Sequence, residues 1–148
     1  MNSFRRAAFT AALLTLAFAT PALAQSDPMT GGDYLEVAQI TIDDGHSLDY
    51  ANFLAGTWRA QREFAKSQGW ISSYEVLANV HKRAGEPDLI LVTRFKTMAD
   101  GAEGERRGAQ LRAHVKQSDA QMEAASGDRA KYRHVLGSQL WQVLNFKN

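Results

Sequence analysis

The sequence predicts an α+β domain in the order strand–helix–strand, strand–helix–strand: a four-stranded antiparallel sheet with two helices on one face. Three observations predict it. Short runs rich in Val, Ile and Leu alternate with two stretches of helical composition. The first of those stretches, ending at Gln68, is amphipathic and stops at Gly69. Leu89-Ile90-Leu91-Val92 is apolar on both faces, as a strand in the middle of a sheet must be.

The chain has 148 residues, and residues 1–24 read as a secretory signal peptide. Arg5 and Arg6 precede an apolar run from Ala7 to Ala19, and Pro21 stands just before the small-x-small site Ala22-Leu23-Ala24. Cleavage after Ala24 would leave Gln25 as the first residue and place the protein in the periplasm or outside the cell. The apolar run is shorter than the ~20 residues a spanning helix needs, so no membrane span is expected after cleavage. Arg5 and Arg6 are two of the 17 basic residues; without them the balance against 16 acidic ones is −1. Such a chain has no electrostatic reason to bind nucleic acid or anionic lipid. There is no cysteine, which excludes thiol nucleophiles, iron–sulfur clusters and cysteine-ligated zinc.

Residues 25–33, with Ser, Asp, Pro and Gly31-Gly32, read as a flexible leader to a domain at 34–148. Tyr34 to Ile42 is the first strand, closed by the turn Asp43-Asp44-Gly45. Ser47 is the expected N-cap of the first helix, with Asp49 in its first turn. On a regular helix Tyr50, Phe53, Leu54, Thr57, Ala60, Phe64 and Ala65 share one arc. Asn52, Arg59, Arg62, Glu63 and Lys66 fall opposite, Trp58 at the edge, and Gln61 near the centre, where a long polar side chain is out of place. Ile71–Val80 and Asp88–Thr97 are the second and third strands, joined by a hairpin containing Gly85 and Pro87. Ala99 to about Ala124 favours helix, with a break at Ser126-Gly127-Asp128, and Leu136–Phe146 is the last strand.

This order is the ferredoxin-like βαββαβ pattern. Both helices cover one face, yet neither face of the strands is cleanly polar. Leu35 and Val37 oppose Ala38, Ile40 and Ile42, and Ile90 and Val92 oppose Leu89 and Leu91. A sheet apolar on both sides needs a second cover, and a homodimer with sheets face to face supplies one.

The element order, the stretch Phe64-Ala65-Lys66-Ser67-Gln68-Gly69-Trp70-Ile71-Ser72-Ser73-Tyr74-Glu75-Val76-Leu77, and the strand leading to Thr93-Arg94-Phe95 resemble the dimeric α/β-barrel superfamily. That superfamily includes antibiotic-biosynthesis-type monooxygenases and stress-responsive barrels. The resemblance covers about 110 residues and is one of architecture, which transfers fold better than function. It implies three outcomes: oxidation of quinols or anthrone-like phenols without a cofactor, haem degradation, or no catalysis. The haem-degrading branch uses an Asn, a Trp and a His. Asn79, Trp70, His81 and His114 are residues of those types, and none is assigned to a position.

No two of the four histidines sit at i,i+4 on a helix, and no HExxH, nucleophile elbow or phosphate loop is present, so neither a metal nor a bound cofactor is expected. The candidates are instead polar and aromatic residues in apolar settings: Trp58, Gln61, Tyr74, Arg94, His114 and Trp141. Buried polar groups need partners or cost a few kcal/mol each. One reading is a pocket between helices and sheet, lined by Trp58, Tyr74 and Trp141, with Gln61 or Arg94 orienting a small aromatic ligand. The other places these residues at the sheet rim or dimer interface, where Arg and Trp are ordinary. His114, near Leu111 and Val115, is either a general base or a surface histidine. The function expected is binding of a small aromatic compound by an exported dimeric barrel, with cofactor-independent monooxygenation as its chemistry. The alternatives are a non-enzymatic binding or stress-related module and a protein whose only function is assembly.

Overall fold

The computed structural model describes residues 27–148, so the signal segment and its cleavage site lie outside the described residues. The elements are β1 (Met29–Ile42), α1 (Ser47–Phe53), a π-helical turn (Leu54–Trp58), α2 (Arg59–Ser67), β2 (Ser73–Ala78), β3 (Leu89–Phe95), α3 (Gly101–Val115), α4 (Asp119–Ala130) and β4 (Arg133–Phe146). The strands form one antiparallel sheet in the order β2-β3-β1-β4. This is the ferredoxin-like arrangement, α+β as expected.

β1 begins at Met29, five residues inside the segment read as leader, because Met29 to Gly31 pair with β4 from Leu144 to Phe146. A bulge between Gly31 and Tyr34 absorbs the two-glycine stretch. The first helix starts at Ser47 with His46 as N-cap, not Ser47 itself. The His46 ring bonds Asp49 at 2.8 Å instead of the backbone. Gly45 and Gly69 bracket the helical segment at φ +87° and +71°, backbone that favours glycine at both ends.

The second helical stretch departs from expectation. It is two helices, broken at Lys116 and not at Ser126-Gly127-Asp128. Lys116 adopts the left-handed conformation at φ 55°. Ser118 then restarts the chain with a capping box, its side chain accepting from the Gln121 amide while Gln121 reaches back to the Ser118 amide. The capping pattern was present in the sequence and outweighs the weak helix propensity of Gly127.

The register settles which side chains share a face. Tyr34, Glu36, Ala38 and Ile40 pair with Phe95, Thr93, Leu91 and Leu89 and face the helices. Leu35, Val37 and Gln39 pair with Arg94, Val92 and Ile90 and face away. The core lies on the helix side, where Tyr50 and Leu54 seat on Ile40 and Leu91, and Ile40 and Tyr50 are each 2% exposed. No helix among the described elements reaches the other side. There Leu77 and Trp141 stand 47% and 58% exposed.

The π turn sets the helix face. Its i→i+5 geometry adds the equivalent of one residue, which rotates everything after it by roughly 100°. Thr57 and Ala60, expected in the apolar arc, are exposed, and Arg62, expected on the solvent side, turns inward with Trp58 and Ala65. With the core this small, Ile40→Ala should cost about 3 kcal/mol of unfolding free energy in urea denaturation. The more exposed Leu77→Ala should cost under 1 kcal/mol in the same measurement.

Candidate functional site

A cavity of about 290 Å³ opens between α2, α3 and the helix face of the sheet. Ala65, Trp70, Phe95, Met98 and Leu111 give it apolar walls, and Gln61, Arg62, Glu36 and Thr93 add polar groups. A smaller space of about 160 Å³ beneath α2 shares Glu36, Arg62 and Thr93 as walls and ends at Trp58, Ala38 and Leu91. On the far side of Trp58, a third space of about 530 Å³ lies over the β2 edge, against Tyr74, Leu89 and Leu54. Trp58 is thus the partition between the latter two.

The second half of the helical segment supplies the inner wall because of the π turn. Arg62 lies with its guanidinium 5.8 Å from the Trp58 ring centroid. Its Nε is buried and has no hydrogen-bond partner. Burial lowers its basicity, and the Glu36 carboxylate partly restores it. Thr93 is 6% exposed, a hydroxyl on the floor of an otherwise apolar strand centre.

The outer wall is α3. Asp100 caps it by accepting from the Glu103 amide at 2.8 Å. Glu103 binds Arg106 at 2.7 Å and Arg107 at 2.6 Å, and these hydrogen bonds hold its carboxyl down to about 2. Arg107 in turn lies 5.6 Å over the Trp70 ring, and Phe64 packs edge-on to Trp70 and stacks on His114 at 4.0 Å.

The sequence-derived candidates do not form one cluster. Gln61 lines the cavity between α2 and α3. Trp58 and Tyr74 meet edge-to-face at 5.3 Å and share the space over the β2 edge. The Tyr74 hydroxyl donates to Glu63, which raises the phenol's pKa. Arg94 and Trp141 both pair with Leu35 and so lie on the opposite face of the sheet, with Arg94 3.8 Å from Asp33. His114 is exposed on α3, stacked on Phe64 of α2 and lining a separate space of about 270 Å³ beside Thr57 and Ala60.

Of the lining residues only Gln61 was a site candidate from the sequence; Glu36, Arg62, Thr93, Trp70 and Phe95 are among those that were not. Glu36 alternates with Ala38 and Ile40, but only the register shows that this parity of β1 faces the helices. Arg62 had no signal, because a regular helix puts it in solvent. No group of three His, Asp or Glu side chains capable of holding a metal ion occurs among the described residues, and none of their helices is long and apolar enough to cross a membrane.

No protein-family model matches the chain, and no curated protein matches it in sequence. Solved structures that match it include the following two. HapK from Hahella chejuensis is 8% identical with a TM-score of 0.49, over 78% of this chain and 96% of that one. A putative monooxygenase from Shewanella loihica PV-4 is 11% identical with a TM-score of 0.40, over 80% of this chain and 97% of that one. At such identities and TM-scores neither likeness assigns an activity to this chain.

The Glu103 cluster gives a pH test of the outer wall. Its folded pKa lies below the ordinary 4.5, so its contribution is complete above that value and fades as the pH falls towards 2. Glu103→Gln should therefore lower the melting temperature at pH 7, and the gap to wild type should close by about pH 2 if the protein is followed by calorimetry down the pH scale.

Proposed function

We propose that this protein binds a small aromatic or quinol-like compound in the cavity between α2, α3 and the sheet. The observation that carries this is the make-up of that cavity: aromatic and aliphatic walls interrupted by Gln61, Arg62, Glu36 and Thr93, at a volume near the lower end of ligand sites. The apolar walls provide affinity for a planar ring, and the polar groups fix its orientation.

Its proposed chemistry is monooxygenation without a cofactor. In that reaction a methylene held between aromatic rings and one O2 give a ketone and one water, the substrate itself supplying the electrons. The protein's part is to exclude bulk water, hold the ring and take the first proton. Glu36 is the carboxylate placed for that proton, since it borders both the main cavity and the space under Arg62.

The proposed working form is an exported homodimer. The outer face of the sheet carries Leu35, Val37, Ile90, Val92, Leu77 and Trp141, and its Arg94 lies near Asp33. A second copy presents the same largely apolar surface, with Arg94 and Glu75 as charged members, and is always present at equal concentration. Export rests on the first 24 residues and their small-x-small site.

Native mass spectrometry of the protein released from the periplasm should show two chains beginning at Gln25 with an aromatic compound retained. A ligand-free monomer at micromolar concentration would overturn the reading. Trp141→Glu should halve the mass in sedimentation velocity with an unchanged circular dichroism spectrum. For the chemistry, the wild type should speed O2 uptake by anthrone, and Glu36→Gln should cut that rate by about a hundredfold. Uptake no faster than in buffer leaves a binding protein and no enzyme.

A further inference from the structure

Arg62 and Arg107 both border the cavity, but only Arg62 makes no hydrogen bond or ion pair to any described residue. Arg107 is committed to Glu103 at 2.6 Å. Arg62 makes no ion pair among the described residues, and its Nε is shut off from solvent without a partner. Glu36 shares the wall with it yet stands outside salt-bridge distance. The buried Nε is closed to water and ligand alike, but the terminal nitrogens of the same guanidinium are also without a partner among the described residues, and a ligand oxygen meeting them gains a charge-assisted bond. Arg129 and Arg133 also bury unpartnered Nε atoms, but neither lines any of the cavities described above.

The neighbouring groups narrow the ligand further. Trp58 flanks the guanidinium, and Trp70 and Phe95 wall the main cavity, so the body of the ligand is a flat ring system. Glu36 repels a second negative charge, which limits the ligand to one. Granted the small-molecule reading of the cavity, we infer that Arg62 is its anchoring residue and that the ligand is an aromatic monoanion whose oxyanion bonds the Arg62 guanidinium. The π turn is the device that makes this possible. Without its added residue Arg62 would point to solvent and the cavity would keep only Arg107, which is paired with Glu103.

The test uses 2-naphthoate as the anionic probe and 2-naphthalenemethanol as a neutral probe of similar shape, titrated calorimetrically into the mature chain. Wild type should bind 2-naphthoate at least tenfold more tightly. Arg62→Met should remove that preference while leaving the neutral probe's affinity unchanged, and its melting temperature should equal or exceed that of wild type, since a buried unpartnered donor is gone. Arg62→Lys should keep part of the preference and serves as the second variant where Arg62→Met does not fold. A preference that survives in Arg62→Met overturns the anchoring role and leaves the cavity reading standing, as does equal binding of both probes by wild type. Loss of both probes with a lowered melting temperature makes Arg62 a structural residue and also overturns it. Failure of wild type to bind either probe at millimolar concentration overturns the cavity reading itself.

Discussion

The π turn at Leu54–Trp58 is the constraint on which the helix face depends. Before it, Tyr50 and Leu54 lock the segment onto Ile40 and Leu91. After it, Trp58, Arg62 and Ala65 face the sheet where a regular helix would have turned Arg62 towards solvent. A π turn weakens its own hydrogen-bonding geometry, so it persists only where the packing on both sides requires it. Here the price is compounded, because the rotation also buries a guanidinium whose Nε goes unpaired, at about 1 to 3 kcal/mol for a lost hydrogen bond. A fold selected for stability alone would lose both features. Their presence together on one wall of a cavity is the physical argument that the wall has work to do beyond holding the sheet.

The sheet is the second organising element, and its two faces are treated differently. On the helix side the apolar side chains of β1 and β3 are consumed by α1 and α2, while Leu140 on β4 stays 50% exposed because no helix extends over that strand's middle. On the other side the whole width is uncovered by the described chain. The small set of fully buried residues follows from this: a four-stranded sheet capped on part of one face has little interior. Hydrophobic burial within one copy is therefore small for a domain of this size. A second cover over Val37, Val92 and their neighbours would add the missing apolar area without any change to the cavity on the opposite face.

What was legible in the sequence follows the range of the interactions concerned. Strand order of elements, the central strand at Leu89–Val92 and the stop at Gly69 were readable because period-two patterning and glycine conformation are local properties. The break at Lys116 was missed although Ser118 and Gln121 formed a visible capping box, because the glycine at 127 looked like the stronger punctuation. Face assignment of β1 and β3 could not be read at all. Both parities are apolar, so only pairing register distinguishes Arg94, which faces away from the helices, from Thr93, which faces them. Gln61 was found because a polar residue in an apolar arc is conspicuous, and it does line the cavity. Arg62 was invisible for the opposite reason: it sat where an arginine belongs on a regular helix, and only the extra residue of the π turn moves it.

How a ligand would enter follows from the way the two walls are held. The inner wall is continuous with the core through Ala65 and Leu54, so moving it means unpacking Tyr50 and Ile40. The outer wall, α3, has no fully buried residue. It is held by Phe64 on His114, by Arg107 over Trp70 and by the Asp100 cap, contacts at or near the surface that open at low cost. The left-handed residue Lys116 and the restart at Ser118 break the helix between α3 and α4, and the Arg112–Asp119 ion pair at 3.2 Å spans the break. The same asymmetry keeps Arg62 and Glu36, one on the inner wall and one on the sheet, fixed while the cavity opens. Under the proposed function, access would rest on the weakly packed helix and recognition on the firmly packed one, and a substitution in α3 should act on rates of entry and exit before it acts on which ligand is held.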